Sequence, residues 1–202
     1  MKTKREARPL ARLAVACALA LLSLARAEAQ SSIRDGELKK RLEVAVAASG
    51  AETVGVAFYD LETKRELLLN PDASFHAAST MKVPVMMEVF RQGREGKLSL
   101  DEGITVRNEF RSIADGSPFS VSPEDDSEQT LYERVGQRVP ARELIELMIN
   151  VSSNLATNVL IERVGPARVM DLMRQAGAHN IRVLRGVEDG KAYARGAPCR
   201  SG

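Results

Sequence analysis

Ser79-Thr80-Met81-Lys82 constrains this chain more than any other stretch, because it marks where a helix must begin. Upstream, Asn70-Pro71-Asp72-Ala73-Ser74 is rich in turn formers. Downstream, Val83, Met86, Met87 and Phe90 recur at i, i+3, i+4 and i+7, the period of one apolar helix face. Pro84 falls in the first turn, where a missing N–H costs little. Ser79 is therefore expected at a helix N-terminus, near N–H groups without intrahelical acceptors. Lys82, three residues on, can share a face with its hydroxyl. A serine is a poor nucleophile until its proton is taken, and a lysine can take it once burial lowers the amine's pKa. Read alone, Ser-x-x-Lys is a weak signal, and a serine at such a place is usually just a helix cap.

Two further stretches carry chemistry. Val151-Ser152-Ser153-Asn154 lies between the apolar helical runs Leu144–Ile149 and Leu155–Ile161. A Ser-x-Asn there can present a hydroxyl and a carboxamide to a cleft, or Ser152 or Asn154 can simply cap the next helix. Arg185-Gly186-Val187-Glu188-Asp189-Gly190 holds an acidic pair in a glycine-flanked loop. It can supply a general base or be a solvated turn.

Taken together, the three stretches resemble the class A serine β-lactamases and the related penicillin-recognising enzymes, whose motifs are Ser-x-x-Lys, Ser-Asp-Asn, a loop glutamate and Lys-Thr-Gly. Ser79 and Lys82 match the first motif, Ser152 and Asn154 the outer positions of the second, and Glu188 the loop glutamate. The resemblance runs from about Ile33 to about Gly196. Three positions depart from it. Ser153 stands where the family has aspartate. Ala192 stands where relatives hold a water with asparagine. Beyond Glu188 there is no Lys-Thr-Gly or Lys-Ser-Gly.

The resemblance implies a role for each matched residue. Ser79 would attack the β-lactam carbonyl and form an acyl-enzyme, its own N–H giving half an oxyanion hole. Lys82 would accept or relay the serine proton, and Ser152 would pass one to the leaving nitrogen. Asn154 would hold the substrate's amide side chain, and Glu188 would activate the deacylating water. Which base serves acylation stays open. So does a penicillin-binding D-Ala-D-Ala peptidase, which shares Ser-x-x-Lys and Ser-x-Asn, and so does a non-catalytic remnant. The ligand implied is a small β-lactam, with no cofactor and no metal, on a monomer.

Charge and leader set the compartment. The sequence has 29 basic and 27 acidic residues, net +2. Residues 1–29 read as a signal peptide, with basic residues to Arg12, an apolar run Leu13–Leu24 and small-x-small cleavage sites near Ala29. Six basic and two acidic residues leave with it, so 23 and 25 remain and the net charge becomes −2. The basic excess thus belongs to the targeting segment and gives no support to nucleic-acid binding. A periplasmic or secreted protein is expected, touching the membrane only through the leader. Cys17 would depart with it, leaving Cys199 alone and no intramolecular disulfide. His76 and His179 lack a second ligand at metal spacing and read as structural or surface residues.

The rest of the chain reads as an α/β (α+β) fold. Ile33–Ser49 is expected as a helix with Ile33, Leu38, Leu42, Val44 and Val46 on a broad apolar side. Thr53–Asp60 and Arg65–Leu69 should form a hairpin. Residues 103–129 are expected as a solvated, acidic loop or a rim of the cleft. Ala141–Asn150, Asn154–Arg163 and Pro166–Gln175 should be helices. The resemblance implies two lobes, all-α and sheet-bearing, with the site between them. The catalytic region would be 30–196 and the tail 197–202 aberrant. With the Lys-Thr-Gly strand missing, the sheet lobe is expected to be incomplete and the chain to be marginally stable and impaired.

Overall fold

The structure, a computed structural model, describes residues 36–196 and the backbone of 200–201. The leader, Ile33, both cysteines and most of the tail lie outside the described residues. The chain divides into two compact units, at Ala73/Ser74.

In the first unit, α1 is helical over 36–49. Its apolar side is less covered than its pattern suggests: Leu42 and Val46 are half-buried, while Leu38 and Val44 are exposed. The expected hairpin forms from β1 (Val56–Tyr59) and β2 (Glu66–Leu69), antiparallel, with Val56 opposite Leu69 and Tyr59 opposite Glu66. Asp60 closes its turn by accepting from Glu62 N at 2.9 Å, and Lys64 takes the left-handed conformation at φ 59°. Leu67 and Leu69 alternate inward on β2, whereas Phe58 and Tyr59 on β1 are exposed.

The second unit is mainly helical. It holds β3 (Phe75–His76), a 3₁₀ turn Ala78–Met81 and α2 (Lys82–Arg94), then β4 (Gly103–Thr105), β5 (Phe110–Arg111) and β6 (Pro118–Phe119). Two 3₁₀ turns, Pro123–Asp125 and Thr130–Arg134, lead to β7 (Arg138–Pro140). Then come α3 (Ala141–Asn150), α4 (Asn154–Val164), α5 (Pro166–Gln175) and a short α6 (Gly190–Ala194). The tail, read from sequence as neither helix nor strand, contributes β8 (Arg200–Ser201), paired with β3. β4 pairs with β7 and β5 with β6, each pair antiparallel.

Helix α4 is the centre of this unit. Leu155 through Ile161 and Val164 are all buried, polar Thr157 and Asn158 included. A helix buried nearly all round must be enclosed by other elements, and α2, α3 and α5 all pack on it. The core-facing stripe runs from Met81, at the end of the 3₁₀ turn, to Val85 and Val89 on α2. Of the sequence pattern, Val83, Met87 and Phe90 prove to lie on the outer stripe and are exposed, while Met86 is half-buried and packs against the core. Inside, Glu88 is fully buried, paired with Arg91 at 2.7 Å and bonded by Gln92 Nε2 at 2.7 Å. Gln92 also donates to Val164 O at 3.0 Å, tying α2 to the end of α4.

Residues 103–129 are not the solvated loop that their composition suggests. Ile104, Val106, Phe110 and Val121 enter the core, and Ser112, Asp126 and Glu128 are buried with hydrogen bonds. Polar composition misleads here because the buried acids have backbone N–H groups to satisfy them.

Opposite stripes of the helices should respond differently to truncation. Leu160→Ala, at a fully buried position, is expected to lower unfolding free energy by about 2–5 kcal/mol. Met87→Gln, on the exposed stripe of α2, should stay within about 0.5 kcal/mol. Urea unfolding of both variants measures the contrast.

Candidate active site

Ser79 is the second residue of the 3₁₀ turn Ala78–Met81 that runs into α2. No side chain caps this turn, so Ser79 is not its cap, and its side chain is exposed. Lys82 opens α2 and is almost fully buried. Ser152 and Asn154 flank the start of α4, where Ser153 is the N-cap and accepts from Ala156 N at 3.1 Å. Capping thus falls to Ser153, which frees Ser152 and Asn154 for the site.

Hydrogen bonds join these residues. Ser79 Oγ and Ser152 Oγ lie 3.1 Å apart. Lys82 Nζ reaches Ser152 O at 2.6 Å, Ser152 Oγ at 2.9 Å and Asn154 Oδ1 at 2.9 Å. Two of these partners can only accept, whereas the hydroxyl can accept or donate. An ammonium would donate to all three. A neutral amine would donate to Ser152 O and Asn154 Oδ1 and accept from the hydroxyl. The geometry therefore holds Lys82 in either protonation state. Burial pushes its pKa below the ordinary lysine value, and the negative charges of Asp126 and Glu188 partly oppose that shift. Ser152 links Ser79 to this amine.

Glu188 comes to the same place from its loop. Asn154 Nδ2 donates to Glu188 Oε1 at 3.4 Å. Ser79, Asn154 and Glu188 line one cavity of about 430 Å³, with His76, Arg185 and Tyr193 among its other walls. His76 is a surface residue here, its ring edge-to-face with Tyr193 at 6.0 Å. All five residues singled out from the sequence thus meet in the second unit.

Among the described residues, three of the five non-glycine residues with positive φ lie at this site: Ala78 (44°), Ser152 (62°) and Glu188 (63°). Such conformations cost on the order of 1–3 kcal/mol each and persist only where surrounding contacts hold them. For Glu188 the contacts are identifiable. Buried Asn158 accepts from Val187 N at 2.6 Å and donates to Val187 O at 3.0 Å. On the other side, buried Asp189 accepts from Ser112 Oγ at 2.8 Å, Ile113 N at 3.0 Å and Ala192 N at 3.1 Å. Burial alone would raise the Asp189 pKa, but these donors and Arg185 together bring it below the usual value. Ala192 is buried and offers only a methyl group where the resemblance expected a carboxamide.

Sequence reasoning missed Asn158, Asp126 and Asp189. Asp189 stood beside the chosen glutamate. Asn158 was legible as a polar residue on an otherwise apolar helix stretch. Asp126 gave no signal beyond an acidic run.

Gly186 allows the Asn158 clamp to close. A Cβ there would sit 2.2 Å from Asn158 Oδ1. Gly186→Ala should displace that carboxamide and cost about 1–3 kcal/mol, as overpacking does. Urea denaturation reads the loss, and weakened protection of the Val187 amide in hydrogen exchange locates it.

Comparison with known proteins gives the family and the fold. Residues 37–198 match the beta-lactamase enzyme family. An extended-spectrum beta-lactamase PER-1 from Pseudomonas aeruginosa is 28% identical over 172 residues, 85% of this chain and 53% of that protein. A beta-lactamase from Rhodobacter capsulatus is 29% identical over 174 residues, 86% of this chain and 53% of its own length. The chain thus spans about half the length of these relatives. Among solved structures, a mutant of PBP-A, an acyl-enzyme complex with penicillin G, superposes with a TM-score of 0.64 at 26% identity. It covers 82% of this chain and 57% of its own. A beta-lactamase from Chitinophaga pinensis gives 0.61 at 28% identity, covering 81% and 57%. The fold is the corresponding part of the class A β-lactamase and penicillin-binding protein fold, and the chain belongs to the beta-lactamase enzyme family.

Proposed function

We propose that the chain is a serine hydrolase of the class A β-lactamase type, acting on β-lactams through an acyl-enzyme at Ser79. The observation that carries this reading is the linkage Ser79 Oγ–Ser152 Oγ–Lys82 Nζ, at 3.1 and 2.9 Å, behind a cavity that Glu188 also lines. With Lys82 neutral, the Ser79 proton passes through Ser152 to the amine as the serine oxygen bonds to the lactam carbonyl carbon. The same route returns that proton to the ring nitrogen as the C–N bond breaks. Asn154 donates toward Glu188 and faces the cavity, where it would bind the substrate amide. Glu188 would then take a proton from the water that opens the ester. The Lys-Thr-Gly segment of the family, absent from this sequence, would supply the second oxyanion donor. One such donor is worth about 10²–10³-fold in rate. Periplasmic or secreted placement fits the basic and apolar leader, 1–29.

A penicillin-binding peptidase is the second reading. The likeness to PBP-A favours it, as does Ala192, which cannot hydrogen-bond a deacylating water. Both readings require acylation at Ser79, and they separate at deacylation.

Mass spectrometry after exposure to penicillin G should place the acyl adduct on Ser79. An adduct on Ser152, or none, would refute the assignment. In the lactamase reading, Glu188→Ala should slow deacylation by about 10²–10⁴-fold and let the adduct accumulate. Equal adduct lifetimes in the two proteins would instead support the peptidase.

A further inference from the structure

Asp126 makes more hydrogen bonds at the start of α4 than any one role requires. It lies in the loop before the Thr130–Arg134 turn and is 6% exposed. Its Oδ1 and Oδ2 both lie 2.9 Å from Asn154 N, and Oδ2 accepts from Leu155 N at 2.8 Å. Ser153 Oγ lies 3.4 Å from Oδ2. Tyr132 donates its phenol to the same oxygen at 2.9 Å, its pKa raised by burial and then by this bond. Glu128 N donates to Oδ1 at 3.2 Å.

These contacts straddle the motif. Ser152, just before them, is in a left-handed conformation, and Asn154 and Leu155 supply two first-turn N–H groups of an eleven-residue helix. A carboxylate there satisfies donors the helix cannot and favours the positive end of its dipole. The middle position of the motif holds Ser153, a neutral side chain.

We propose that Asp126 is the positioning residue of the Ser152–Asn154 motif. It supplies, from a separate loop, the carboxylate that position 153 lacks, and so fixes Ser152 and Asn154 against Lys82. This inference rests on the acyl-enzyme reading for its kinetic consequence. Its negative charge also favours the protonated form of Lys82. The charged groups around the cluster are Lys82, Glu188, Glu128 and Glu124, with the Tyr132 phenol beside them.

The test is a cycle of Asp126→Asn, Ser153→Asp and the double variant, read by thermal melting and by the rate of Ser79 labelling with a fluorescent penicillin across pH. Asp126→Asn turns an amide donor toward backbone donors, and a misplacement near 1 Å can cost about 10²-fold in rate. Its labelling rate should fall by about that factor. The acid limb of its pH profile should also move to lower pH, because a Lys82 without this neighbouring charge loses its proton more readily. A purely structural role would lower the rate without moving the limb. Ser153→Asp alone sets two carboxylates side by side and should lower the melting temperature. In the double variant the carboxylate is present once, on the helix itself, so it should melt higher than either single variant and regain labelling. If Asp126→Asn fails to fold, recovery by Ser153→Asp supports the proposal and no recovery overturns it. Additive melting effects, or an unmoved acid limb, also overturn it. An unmodified chain that never labels refutes the acyl-enzyme reading, while the melting cycle still decides the pairing of Asp126 with position 153.

Discussion

The second unit is organised around one buried amine. Lys82 sits at the first position of α2 with its side chain out of water, a costly state unless every N–H has a partner. Its partners are all on the segment that opens α4. The helix start that bears Ser79 is thus tied to the helix start that bears Ser152 and Asn154. Because α4 is enclosed by α2, α3 and α5, the position of that amine is fixed by the packing of the whole helical core. A small shift of α4 against α2 would change three hydrogen bonds at once.

Strain is concentrated where this tie operates. Ala78 and Ser152, both left-handed, flank the point where the two hydroxyls meet, and Glu188 adopts the same conformation across the cavity. Two of the three are held from behind by buried polar groups: Ser152 through Lys82 and the Asp126 cluster, Glu188 through Asn158 and Asp189. Low-dielectric surroundings strengthen such bonds and make their loss expensive. The site therefore has an inner set of groups that face the cavity and an outer set that fixes their backbone.

Most of the inner set was legible in the sequence. Ser-x-x-Lys at a helix start and Ser-x-Asn between two apolar runs are local patterns, and local chemistry determined both. The helices α3, α4 and α5 were equally readable, since their apolar periods and the Gly165-Pro166 break are encoded within each segment. The buried face of α2 was not. Val83, Met87 and Phe90 have the right period, but so does Met81, Val85 and Val89, and only tertiary packing selects the second stripe. The loop 103–129 misled for a similar reason. Asp126 and Glu128 look solvated in an acidic run, yet both are buried: Asp126 against the N–H groups of Asn154 and Leu155, which only the fold brings near, and Glu128 against those of Thr130 and Leu131 in the turn that follows it.

That last contrast explains how a motif can lose its own acid and keep its geometry. A capping hydroxyl at Ser153 satisfies one first-turn donor, Ala156 N, and leaves those of Asn154 and Leu155. A carboxylate, with about four lone-pair sites, accepts from both and still from Tyr132 and Glu128 N, whereas one hydroxyl has only two lone pairs. The acceptor can come from any part of the chain that reaches them, and here a loop about 28 residues upstream reaches them. Sequence reading within the motif sees Ser153 as a departure. The physical requirement it leaves, a charge-assisted acceptor at the start of α4, is met by Asp126. The same carboxylate lies close enough to Lys82 to raise its proton affinity, so satisfying the helix and biasing the Lys82 proton become a single constraint on one side chain.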